Sequence, residues 1–119
     1  MAKNTKAKPT GGWGWGKVVI PAGQSLSESL ELTGGNLRML MAPSDWSPAN
    51  ISFQVSVDDQ TFCDLYDQGV EVVKPMGPGR AEAIPASWTE AVRFLKIRSG
   101  VSNNPVVQDD DRAFTWVVA

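Results

Sequence analysis

The run Ile51-Ser52-Phe53-Gln54-Val55-Ser56-Val57-Asp58-Asp59-Gln60-Thr61-Phe62-Cys63-Asp64-Leu65-Tyr66 reads as a β-hairpin in plain alternation. Ile51, Phe53, Val55 and Val57 share one parity, and Ser52, Gln54 and Ser56 share the other, which is the period of two that a half-buried strand requires. Asp58, Asp59 and Gln60 supply the polar break, where short side chains that bond their own backbone favour a turn. The chain resumes as a second strand at Thr61, and the sheet is therefore antiparallel.

Working outward from this hairpin, short apolar runs recur between turn residues. Lys17–Ile20 predicts a first strand, closed by Pro21-Ala22-Gly23. Leu26, Leu30 and Leu32 fall on one parity of a second; Leu30 and Leu32 also fit a short helix, but the flanking Thr33-Gly34-Gly35 favours a strand. Asn36–Met41 is apolar on both faces, the pattern of a strand lying centrally in a sandwich. Val70–Val73 is a short strand ending at Lys74-Pro75, and Ala81–Ile84 is expected to pair with it across the Gly/Pro loop at 76–80. Ser87 and Glu90 have the spacing of a capping box around a single helical turn. Val92–Ile97 and Phe114–Val118 are the last strands, with Phe114, Trp116 and Val118 on one side. Eight or nine short strands in 119 residues make one all-β domain, an antiparallel sandwich with a jelly roll as the expected topology.

Residues 1–16 differ in kind from residues 17–119. Lys3, Lys6, Lys8 and Lys17 precede the first acid, Glu28, whereas from Val18 onward 13 acids face 7 bases, a net of −6. The basic stretch ends in Gly11-Gly12-Trp13-Gly14-Trp15-Gly16, which cannot form a core of its own. A disordered tail is the plain reading. Two large aromatics on glycine joints behind three lysines point instead to a docking arm, with Lys3, Lys6, Lys8, Trp13 and Trp15 as its contacts and an acidic partner.

Catalytic signals are sparse. Histidine is absent, which removes Ser-His-Asp and Cys-His systems and the commonest metal ligand. Cys63 has no base beside it and no second cysteine to pair with, and is expected to pack as a small apolar residue. The aspartates near the hairpin are turn formers, and Asp109-Asp110-Asp111 lacks the alternating ligand spacing of a calcium loop. No catalytic residue, metal or cofactor is expected. No apolar stretch has the length of a membrane span and no apolar leader follows Met1, so no membrane partner is expected. An acidic body disfavours nucleic acid. Two further sets of side chains qualify as binding candidates. Arg93, Lys96 and Arg98 form a basic cluster, with an ordinary solvated sheet face as the alternative, and Trp46 and Trp88 are candidates for stacking sugars in a carbohydrate-binding sandwich, with lids over the ends of the sandwich as the commoner use.

The pattern Trp46, Ala49-Asn50-Ile51-Ser52-Phe53-Gln54-Val55-Ser56, Asp58, Thr61-Phe62, Asp64-Leu65-Tyr66-Asp67, followed by Phe94-Leu95-Lys96-Ile97-Arg98-Ser99-Gly100 and Gln108, resembles short head proteins of tailed bacteriophages related to jelly-roll capsid decoration, or cement, proteins. The resemblance covers about Lys17 to Val118. It implies a non-enzymatic virion protein on the capsid exterior, assembled in the host cytoplasm. Its partners would be the major capsid protein and further copies of itself, as a trimer or dimer. It carries over no individual binding residue.

Overall fold

Alternating apolar residues make strands that must bury one face, and here two sheets bury theirs against each other. The computed structural model describes residues 4–6, 13–32 and 35–119. In chain order the strands are β1 (Asn4–Lys6), β2 (Gly14–Ile20), β3 (Ser29–Glu31), β4 (Leu37–Met41), β5 (Ile51–Ser56), β6 (Cys63–Asp64), β7 (Tyr66–Asp67), β8 (Val70–Glu71), β9 (Val73–Lys74), β10 (Ala81–Ala83), β11 (Phe94–Val101), β12 (Asn104–Pro105) and β13 (Arg112–Val118). One helical turn, α1 (Ala86–Thr89), precedes β11. The larger sheet runs β1-β3-β11-β5-β6, with β9 also on β5 and β12 on β11; the second runs β10-β4-β13-β2; β7 and β8 pair alone. All pairings are antiparallel except β1 on β3. The fold is an antiparallel β-sandwich.

The core lies between the sheets. Leu30, Leu95, Ile97, Ile51 and Phe53 enter it from the larger sheet, and Val18, Ile20, Leu37, Leu40, Phe114, Trp116 and Val118 from the other. Trp46 fills one end, edge-on to Phe114 at 4.9 Å between ring centroids. Burying each of these side chains contributes about 1.5–3 kcal/mol. Gly16 is required by this packing, since a Cβ there would overlap the Trp116 ring.

The hairpin that decides the fold is present, with a wider turn than its sequence indicated. Strand β5 ends at Ser56, and Val57 lies outside the core at 80% exposure. The turn is shaped by Asp58, whose Oδ1 accepts the backbone N–H groups of Gln60 at 2.9 Å and Thr61 at 3.0 Å, while Ser56 Oγ accepts those of Asp58 and Asp59. Pairing with β6 lasts two residues, Val55 with Cys63 and Gln54 with Asp64. The chain then leaves the sheet as β7 and β8, turning at Gln68 and Gly69, both at positive φ as a tight two-residue hairpin requires, and returns as β9 beside Ile51 and Ser52.

Several expectations need correction. The first strand starts at Gly14, so Gly14–Gly16 belong to the sheet and are paired with β13. Of the run around Leu26–Leu32 only Ser29–Glu31 is a strand, and Leu26 makes a single bridge to Arg98. Strand β10 pairs with β4, not with the Val70–Val73 segment, because that segment is held on the other sheet through β5. Helix α1 has Pro85 at its N-cap and no side-chain cap, so the Ser87–Glu90 spacing does not form a capping box. Strand β4 is internal to its sheet as expected, but only Leu37 and Leu40 are buried; an irregularity opposite Val117 and Val118 brings both to the core although they are three residues apart.

Arg98 ties the excursion to the sheet. Its guanidinium is buried and donates to Ser52 Oγ at 2.9 Å, Asp64 Oδ1 at 2.8 Å and Glu71 Oε2 at 2.9 Å. Replacing it leaves two carboxylates facing an apolar side chain. Arg98→Met is expected to lower unfolding free energy by about 3 kcal/mol in urea titration; a change within error would show that the network is not structural.

Candidate docking surface

In an antiparallel sheet, paired residues share a face, so the registers assign every side chain to the core or to the outside. On the four-stranded sheet the outer rows are Trp15–Val117–Met39–Ala83 and Lys17–Thr115–Met41–Ala81, with Val19 beside Ala113. Apart from Thr115 and Lys17 these side chains are apolar. Lys17 is the one charge in the rows, and its Nζ donates to Thr115 Oγ1 at 2.8 Å. Trp15 is 58% exposed and Trp13, beyond the last paired residue, is 64% exposed. Met41 is also exposed.

The opposite outer face has the contrary character. Gln54, Lys96 and Asp64 form one row, and Ser52, Arg98 and Val73 the next. Its charged groups are engaged: Lys96 Nζ lies 4.4 Å from the Phe62 ring centroid, and Arg98 lies in its ion pairs. One outer face is therefore polar and internally bonded, and the other is mainly apolar, although Arg38 on β4 is exposed as well.

The expected site residues fall into different environments. Lys3 and Lys8 lie outside the described residues, and Lys6 ends β1, of which only the backbone is described. Trp13 and Trp15 stand exposed on one side of the β2 segment. The basic cluster is dispersed. Arg93 is exposed, precedes β11 and pairs with Glu31 at 3.5 Å. Lys96 and Arg98 do share a face of β11, but it is not a solvated one at Arg98, which is buried beneath the β7–β8 excursion with its guanidinium engaged by Ser52, Asp64 and Glu71. Trp46 is buried at 2% exposure, with Nε1 donating to the Ala49 carbonyl at 3.2 Å, so it presents no ring face to a sugar. Trp88 is half-buried against Phe53 with Lys74 over its ring at 5.8 Å. Cys63 is exposed, not packed, because it sits on the short edge strand β6.

Two features escaped the sequence reading. Arg112 is a second buried guanidinium, donating to Gln108 Oε1 at 2.9 Å, Asp45 Oδ2 at 3.0 Å and Asp109 Oδ1 at 2.6 Å, and it fixes the Trp46 loop to the start of β13. The apolar outer face itself was hidden by the rule that a strand apolar on both sides is covered on both sides. The signal was present in Met39, Met41 and Val117 once β4 and β13 are placed side by side.

Among the described residues no group of three or more His, Cys, Asp or Glu side chains is arranged to hold a metal ion, and no helix is long and apolar enough to cross a membrane. No protein-family model matches the chain, and no match was found among curated proteins or solved structures.

Burial separates the tryptophans by their cost of removal. Trp46→Ala is expected to lower unfolding free energy by about 3–5 kcal/mol, and Trp15→Ala by less than about 1 kcal/mol. Equal losses in chemical denaturation would contradict the assignment of Trp15 to a free surface. The Asp58 carboxyl is held below its ordinary value of 3.8, chiefly by the Thr61 and Gln60 backbone donors and then by the Ser56 hydroxyl. A depressed folded value makes its contribution present above the unfolded pKa and lost as pH falls through the folded one. The melting temperature of wild type should therefore fall below about pH 4 more steeply than that of Asp58→Asn; parallel pH profiles would remove Asp58 as the cause.

Proposed function

We propose that this protein is a non-enzymatic virion component that decorates and stabilises a tailed-phage capsid by binding across neighbouring major capsid protein subunits. The observation that carries the reading is the unequal character of the two outer faces: an apolar surface bearing the exposed Trp15 and Met41, with Met39 half-buried and Val117 buried between them, is the chemistry of a protein contact. A decoration protein acts by binding the assembled shell more tightly than its separated parts, so it needs a rigid surface and no reacting group. The sandwich supplies the rigidity. The sequence of residues 1–12, with Lys3, Lys6 and Lys8 and no acid, adds a basic segment that precedes β2 in the chain.

Strand order supports the jelly-roll part of the reading. With the excursion and the short β12 set aside, β2-β13-β4-β10 faces β3-β11-β5-β6, and successive strands pass from one sheet to the other except at the β5–β6 hairpin. This is the order generated by two interlocked Greek keys.

Shell binding tests the proposal. Trp15→Ala and Met41→Asp leave the core intact and are expected to reduce occupancy on purified shells at least about tenfold. Removal of residues 1–12, which takes strand β1 from the edge of the larger sheet but spares the paired Gly14–Gly16, is expected to reduce it as well. Occupancy unchanged by both surface substitutions and by the truncation would sink the reading.

A further inference from the structure

The larger sheet does not close over the core at its β6 edge. Val55 and Cys63 lie in the same cross-strand row as Leu95 and Leu30, which are fully buried, so this row faces the interior until the sheet ends. Strand β6 is two residues long, and past it the interior opens as a groove of about 340 Å³ lined by Val55, Val57, Cys63, Ala91, Val92 and Asp58, among others. Its floor is apolar. The acidic residue of its lining is Asp58, whose Oδ1 accepts the Gln60 and Thr61 backbone N–H groups, and Asp59 and Glu90 adjoin the lining in sequence.

These properties define the occupant. A second groove meeting this one about a two-fold axis would bring Asp58 against Asp58, and like charges at a desolvated contact are unfavourable. An apolar floor with a carboxylate beside it suits a large aromatic side chain accompanied by cations. The chain itself carries that combination: Trp13 projects beyond the last β2–β13 pair at 64% exposure, and Lys3, Lys6, Lys8 and Lys17 surround it in a sequence with no acid before Glu28. Trp15 is set apart from this role because it lies within the sheet, in the row with Val117 and Met39.

We infer that copies of this protein associate head to tail, with Trp13 of one copy seated in the groove beside Asp58 of the next. The contact uses two different patches, so it is heterologous, and it forms a ring when its rotation closes. The inference does not require the capsid reading, and the two separate experimentally because this contact is measured in solution without shells.

The test is sedimentation velocity of the full chain over a concentration series, with Trp13→Ala and Val57→Asp as the paired variants. Val57 is 80% exposed and outside the strands, so the aspartate does not disturb the core. Wild type is expected to self-associate, and each variant alone to do so at least about tenfold more weakly. An equimolar mixture of the two is expected to form a dimer, since the Val57→Asp copy keeps an intact Trp13 and the Trp13→Ala copy keeps an intact groove. Association should also weaken with added salt, as expected for lysines facing a carboxylate. The inference is overturned by a monomeric wild type at all concentrations, by variants that associate like wild type, or by a mixture that stays monomeric. Loss on Trp15→Ala with none on Val57→Asp would assign self-association to the apolar sheet face instead.

Discussion

The register of β5 on β11 is the constraint from which the rest of the molecule follows. Six consecutive pairs, from Ser56 with Phe94 to Ile51 with Ser99, send Val55, Phe53, Ile51, Leu95 and Ile97 inward. A slip of one residue would turn all of these outward. Hydrophobic burial sets this register on the inner side; on the outer side Arg98 sets it again, because its Nε reaches Ser52 Oγ, the side chain of its own cross-strand partner. Its remaining donors hold Asp64 and Glu71, so the same guanidinium that locks the pair also fixes where the chain leaves the sheet and where it returns. Ser102 completes the site by donating its backbone N–H to Glu71 Oε2 at 3.0 Å.

How much of this was legible in the sequence depended on the range of the interaction. Alternation within a strand is local, and it placed Ile51, Phe53, Phe114, Trp116 and Val118 in the core and the Ser52 and Gln54 side outward. Arg98 was read as a sheet-face cation because its parity is outward, which is correct. Its burial was illegible, since the carboxylates that neutralise it are 34 and 27 residues away and arrive on an excursion whose path no periodicity records. Arg112 repeats the lesson, with Asp45 67 residues distant. Trp46 was legible only as a choice between a lid over the end of the sandwich and a sugar platform, because a lone tryptophan in a Pro/Ser loop is compatible with both; its burial at one end of the core agrees with the first.

The candidate surface was half legible for a related reason. Sequence composition marked Trp13 and Trp15 as anchors without saying what lay beside them. Pairing with β13 and then β4 supplies the neighbours, Val117 and Met39, and turns two isolated aromatics into the edge of a continuous face. Side-chain parity explains why Trp15 belongs to that face and Gly16 does not: Gly16 points to the core, where Trp116 lies over it.

The size of this face bears on how it can be used. Four strands about 4.8 Å apart and three rows of side chains present on the order of 400 Å², roughly half of what one partner contributes to a stable interface. A single such contact holds weakly in isolation. Under the proposed shell-binding role that deficit would be offset by a second contact. Copies joined to one another through Trp13 and the open groove would bind the shell as a unit, so that release of one face is followed by rebinding at high effective concentration before the others let go. Under that arrangement modest surface area is compatible with firm occupancy, and the separation of Trp13 from Trp15 by a single glycine becomes the point where self-association and docking are kept apart.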